Sequence, residues 1–270
     1  MMIIFGKVTN ANAISPTQTA NHIYDCSDDC FDIPDCILAY VTPQLECFWY
    51  NYSTTTTLTV TETTRADGYY VSFKTSLSSD TCPASPENIN LTVTVGVDDY
   101  QWARTGSGWY LEKCVDDWKR FKRVDSVIVC LQVFNMTKGS SIVEARQMCS
   151  DKGHVLTGLA SLAECTWFHN KLLQQIDTEY LFQGFWMDGE RQCTSGNSSC
   201  NNFVWTDGYT TGNATLIPGN FEPSFKDGKN KPENCLAVSH TGSYDKLNDV
   251  SCVPGVFEEA IGAICGYKFN

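Results

Sequence analysis

The sequence contains no C-x-x-C pair, which argues against zinc ribbons and thioredoxin-type redox sites. Nor does any apolar run reach the roughly 18 residues a membrane-spanning helix needs, so no membrane span is expected. Basic charge is scarce: 19 Lys and Arg stand against 31 Asp and Glu, a net charge of -12. A chain of that sign repels a polyphosphate, and nucleic acid is not an expected partner. The short basic run Lys119, Arg120, Lys122, Arg123 reads as a solvated face. The G-x-S-x-G elbow, the Walker loop, the dinucleotide fingerprint and H-E-x-x-H are all missing, so no enzyme is expected and no catalytic residue is assigned. His22, His154, His169 and His240 are scattered and read as ordinary surface or core residues. Carboxylates are plentiful, but spacing alone does not separate a glycosidase pair from chance.

What the chain does have is 14 cysteines among 270 residues, with 42% hydrophobic and 12% aromatic content. That composition supports an ordinary core, and the length suggests two domains. Five Asn-x-Ser/Thr sequons, at Asn51, Asn90, Asn135, Asn197 and Asn213, accompany the cysteines. Together they point to a glycoprotein made in the secretory pathway, secreted or extracellular. Met1–Gly6 is too short and too poor in basic residues for a signal peptide, and it reads as a first β-strand. The chain as given is therefore expected to start after a removed leader or a missing exon.

Along the N-terminal part, Cys26 and Cys30 are spaced to share one face of a short helix. Asp25, Asp28, Asp29, Asp32 and Asp35 lack the EF-hand spacing and its glycine, and they read as a wet acidic face. STTTTLTVTETT (53–64) alternates at Leu58 and Val60, and Asp67-Gly68 is a turn signal before YYVSFKT (69–75), so a β-hairpin is expected. INLTVTVGV (89–97) reads as a strand or an extended connector. IIFG near the start, the C-x3-C-x5-C run at 26–36, Tyr40, Cys47, VSFK (71–74) and Cys82-Pro83 resemble the PAN-like module, also called the CW domain, of nematode proteins. That resemblance implies binding or adhesion, with Cys26 paired to Cys47 and Cys30 to Cys36.

Two helices are expected beyond residue 100: 140–153, with a capping box of Ser141 and Glu144, and 161–176, with Ser161 and Glu164. Residues 184–234 lose regular patterning apart from FWMDG (185–189) and FVWTDG (203–208), and a loop region of that length in a compact domain is usually functional. WKRF between Cys114 and Cys130, FWMDG, FVWTDG, ENC (233–235), LNDVSC (247–252) and AICGY (263–267) resemble, in order, the C-type lectin-like domain. The fold class is then α+β: a PAN-like module over 1–84, a connector over 85–113, and a disulfide-rich C-type lectin-like domain over 114–268 with two helices, antiparallel sheets and a long loop region. The resemblance implies the pairs Cys114–Cys130, Cys149–Cys265, Cys235–Cys252 and Cys193–Cys200. It leaves Cys82 and Cys165 open: paired together, free, or linking two chains.

The same resemblance implies a calcium ion held by Glu222, Ser224, Glu233, Asn248 and Asp249, with a saccharide completing the shell through two vicinal hydroxyls. Those five residues would then also contact the carbohydrate, with Pro223 a candidate cis-proline. Phe221 and Phe225 are the aromatic candidates for ligand contact and Tyr244 a weaker one, while Trp186 and Trp205 read as core. The expected function is calcium-dependent recognition of glycans, microbial or self, in innate defence. The rival is a calcium-independent protein or matrix binder, in which Glu233, Asn248 and Asp249 form a hydrogen-bonded polar loop network.

Overall fold

The computed structural model describes residues 1–9, 16–53, 58–76, 91–96, 98–115, 117–176, 183–192, 200–223, 232–240, 246–255, 257 and 259–269. The chain forms two compact units, Met1–Asp116 and Asp117–Asn270. Among the described residues, no helix is long and apolar enough to cross a membrane.

The first unit contains β1 (Met2–Val8), β2 (Gln18–Thr19), α1 (Ile23–Asp32), β3 (Cys36–Val41), β4 (Glu46–Asn51), β5 (Thr59–Glu62), β6 (Tyr70–Phe73), β7 (Leu91–Val95), β8 (Asp98–Thr105) and β9 (Gly108–Leu111). Its strand order is β2-β4-β3-β6-β1-β5-β9-β8-β7. The apolar strand CILAYV is buried at every residue, as a central strand covered on both faces must be. Helix α1 lays Cys26 and Cys30 inward and leaves Asp25, Asp28, Asp29 and Asp32 exposed. Cys26 is bonded to Cys47 and Cys30 to Cys36, which ties that helix to β3 and β4.

Two expectations for this unit fail. β5 and β6 do not form a hairpin, because β1 lies between them and pairs with each. The turn itself is present: a 3₁₀ turn over Arg65–Asp67 with Gly68 at φ 72°, which carries the chain past β1. Local alternation cannot reveal that a strand from the N-terminus takes the middle place. Nor do residues 91–111 act as a connector. β7 and β8 pair, and β9 pairs with β5, so these strands extend the N-terminal sheet. Gly108 sits so close to the Val60 carbonyl that a Cβ there would collide with it.

The second unit contains β10 (Lys119–Lys122), β11 (Ile128–Asn135), α2 (Ile142–Asp151), β12 (Val155–Leu156), α3 (Leu162–Leu173), β13 (Gln183–Arg191), β14 (Phe203–Val204), β15 (Phe221–Glu222), β16 (Cys235–His240), β17 (Leu247–Val250) and β18 (Ala260–Lys268). The order is β10-β11-β18-β13-β16-β17-β15, with β12 on β18 and β14 on β13. β11 and β18, from the two ends of the unit, run antiparallel to each other. Cys149 is bonded to Cys265 across 116 residues, and Cys235 to Cys252. Cys114, Cys130 and Cys200 are also disulfide-bonded. Cys82 and Cys193 lie outside the described residues, as do the sequons' Asn90 and Asn197.

Helix α2 has the expected reciprocal box: Ser141 Oγ accepts from the Glu144 N–H, and the Glu144 carboxylate accepts from the Ser141 N–H at 2.6 Å. Helix α3 keeps only half of it. Ser161 Oγ accepts from the Glu164 N–H at 3.2 Å, but the Glu164 side chain turns inward to Arg123, two bonds at 3.0 Å each. Arg123 is therefore a buried ion-pair partner and not part of a solvated face.

Candidate functional site

The loop that follows β13 is pinned by a run of acids. The register of β13 against β16 shifts between Met187 and Glu190, and Gly189 inside this bulge has φ 126°. Buried Asp188 accepts from the Thr206 N–H, from Thr206 Oγ1 at 2.7 Å and from the Asp207 N–H at 3.1 Å. Burial raises its pKa, and the Thr206 bonds oppose that. Asp207 in turn accepts from Gly158 N–H at 2.9 Å, Thr157 Oγ1 at 3.1 Å and Thr210 N–H at 2.8 Å. The W-T-D-G run is thus a latch that uses carboxylates to satisfy loop N–H groups which no sheet can pair.

This bulge delivers Arg191, the last residue of β13, to the region where the calcium ligands were expected. Its N–H donates to Asn234 O at 2.7 Å. Its guanidinium pairs with Asp249, donates from Nε to Glu233 O at 3.1 Å, and donates from NH1 to Cys200 O and to Asn201 Oδ1 at 3.2 Å. The plane lies 4.6 Å over the Phe203 ring. The Arg191 side chain is 5% exposed and that of Asp249 is 0%. Burial lowers the Arg191 pKa, while the charges of Asp249 and Glu233 push it back up. A buried guanidinium so well supplied with acceptors is a structural cation.

The expected ligands are only partly brought together. Asp249 meets Arg191 through its carboxylate and Glu233 through its backbone carbonyl. The backbone of Glu222 pairs with that of Asn248; the Glu222 side chain, like Ser224, Phe225 and Tyr244, lies outside what is described. Asn248 and Asp249 do not share a face, because successive side chains of a strand alternate. On Asp249's side of β17, Leu247 packs with Leu236 and Val238; on Asn248's side, Val250 packs with Cys235 and Ala237.

Calcium takes six to eight oxygen ligands around one point. Among the described residues, no three His, Cys, Asp or Glu side chains are grouped to hold a metal ion. Asp249 is committed to a guanidinium whose positive charge repels a divalent ion at the same carboxylate. Of the five expected ligands, Ser224 and the Glu222 side chain lie outside the described residues, and Asp249 is already engaged by Arg191. The bond before Pro223 is not cis either, since no described peptide bond is. Phe221, expected to face ligand, is buried in the core against Phe203, ring centroids 5.8 Å apart. Trp186 is core and Trp205 packs partly buried against it.

Arg191 was not singled out in the sequence, although it follows FWMDG after a single residue. Its position at the strand end beside E-N-C is the signal that could have found it.

Residues 1–75 match the model of the PAN-like domain, and residues 123–268 match that of C-type lectin domain-containing protein 141/158. No curated protein matches the chain. Among solved structures, the C-type carbohydrate-recognition domain of cow CD23, determined in the presence of a GlcNAc2Man3 oligosaccharide, is 19% identical, with a TM-score of 0.37 over 58% of this chain and 98% of its own. The carbohydrate-recognition domain of the mouse scavenger receptor C-type lectin is 17% identical, with a TM-score of 0.32 over 57% and 94%. A calcium-independent type II antifreeze protein is 20% identical, with a TM-score of 0.33 over 52% and 85%. The second family model takes in more than half of the chain, and the protein belongs to the family of C-type lectin domain-containing protein 141/158.

Proposed function

We propose that the protein is an extracellular recognition protein whose C-type lectin-like unit binds carbohydrate without a calcium ion at the Glu233–Asp249 site. The observation that carries this reading is the buried ion pair of Arg191 with Asp249. The pair supplies a fixed positive charge to the acids that would otherwise need a metal. The same cation orients the adjacent surface. Asn201 is exposed and gives its carbonyl oxygen to Arg191, so its amide N–H groups turn outward. Asn202 is exposed and donates its amide to Gln192 O at 3.2 Å, leaving its oxygen free for a donor. Two neighbouring carboxamides that present a donor and an acceptor suit a pair of sugar hydroxyls.

The second reading is a calcium-independent protein or matrix binder. It is favoured by the same ion pair, because a site without a metal cannot chelate vicinal hydroxyls. A glycan array probed in calcium and in chelator separates the two. Equal saccharide signals in both buffers, lost in Asn201→Ala/Asn202→Ala, support the carbohydrate reading. Silence on the array, with retention on matrix proteins, supports the other. Saccharide signal that vanishes in chelator and in Glu222→Gln overturns both.

A further inference from the structure

Strand β11 ends at Asn135, which is exposed and opens the sequon Asn135-Met136-Thr137. At this strand end lies a groove of about 680 Å3 against helix α2. Phe134, Met136 and Met148 give it an apolar wall, and Glu144, Gln147 and Asp151 give it a polar rim. Asn135 and Met136 also border a second cleft of about 410 Å3.

We infer that an N-linked glycan on Asn135 folds back into this groove, so that the surface is a seat for the chain's own saccharide. The modification joins Asn135 Nδ2 to the anomeric carbon of an N-acetylglucosamine. The donor is a saccharide carried on a lipid pyrophosphate: the bond from its anomeric carbon to the pyrophosphate oxygen breaks, the lipid pyrophosphate leaves, and one amide proton is released to water. The C–H face of a pyranose packs on thioether and aromatic carbon, removing apolar surface from water. Its hydroxyls and acetamide exchange hydrogen bonds with the carboxylates and carboxamide of the rim. Neither of the other two described sequons offers this. Asn213 is exposed but lines neither cleft. Asn51 has its Oδ1 buried, and Ser53 of its sequon gives its hydroxyl to Asp35.

The test uses the full chain secreted from a eukaryotic host, with site occupancy mapped by mass spectrometry. Release of each glycan from the folded protein by a peptide N-glycosidase is then timed. The Asn135 glycan should leave several-fold more slowly than that on Asn213, and the two should leave alike once the chain is unfolded. Met148→Asp should speed release at Asn135 and not at Asn213. If that variant loses its thermal transition, Gln147→Ala on the exposed rim takes its place. An unmodified Asn135, equal release from the folded chain, or no response to the groove variant would overturn the inference.

Discussion

Arg191 shows how one side chain redirects a site. Asp249 and Glu233 are buried acids, and buried charge is tolerated only when paired and hydrogen-bonded. Removing the guanidinium takes the ion-pair partner from buried Asp249. Arg191→Met should lower the stability of the C-terminal unit by about 3–5 kcal/mol, the usual cost of breaking a buried pair. Millimolar calcium should restore part of that loss in the variant, by giving the carboxylates a cation, while leaving the unsubstituted chain unmoved. Urea unfolding with and without calcium measures both. Cys165 offers a separate check. It is a free thiol, fully buried on α3, and burial pushes its pKa up to about 12. It should resist alkylation in the folded chain and react on unfolding, as read by mass spectrometry of its peptide. The E-N-C and L-N-D-V-S-C motifs were legible in the sequence, but the use of Asp249 was not. A carboxylate that grips calcium and one that grips arginine are the same letter; only the partner arriving from β13 tells them apart.

At the level of elements, helix ends were legible because their signals are local. Ser141 and Glu144 cap α2 as their spacing implies, and Ser141→Ala should cost about 1 kcal/mol by urea titration. Ser161 caps α3 as well, but Glu164 was misread, since its pairing with Arg123 spans 41 residues and leaves no local trace. The hairpin expected over 53–75 failed for the same reason: β1 competes for both strands from far upstream. Packing of α3 on β16 also sets a pH dependence. His169 on α3 and His240 at the end of β16 have ring centroids 6.0 Å apart. Burial, then the charges of His240 and Lys246, lower the His169 pKa from 6.5. A group whose folded pKa lies below its unfolded value binds more protons when unfolded, so stability is full above 6.5 and falls as pH drops through the folded value. Urea midpoints taken from neutral pH down to about pH 5 should decline, and His169→Gln should flatten part of that slope.

For the whole molecule, the division into two units was legible from composition and from two sets of motifs. The boundary was not: β9 joins its sheet through β5, and alternation in 89–97 cannot show a partner that far away. In the C-terminal unit the Cys149–Cys265 bond closes the longest loop among the described pairs. Replacing both cysteines by serine should cost that unit about 4–5 kcal/mol on a loop-entropy estimate and leave the unfolding of the N-terminal unit unchanged. Such a frame can carry a loop region pinned by Asp188, Asp207 and Arg191. Calorimetric titration of calcium into the full chain tests most directly whether the Arg191–Asp249 pair excludes the ion. No saturable binding that depends on Asp249 is expected, and the heat should match that of an Asp249→Asn variant. A one-to-one calcium site present in the natural chain and absent from Asp249→Asn would mean that Arg191 yields to the ion, and that recognition here is metal-dependent after all.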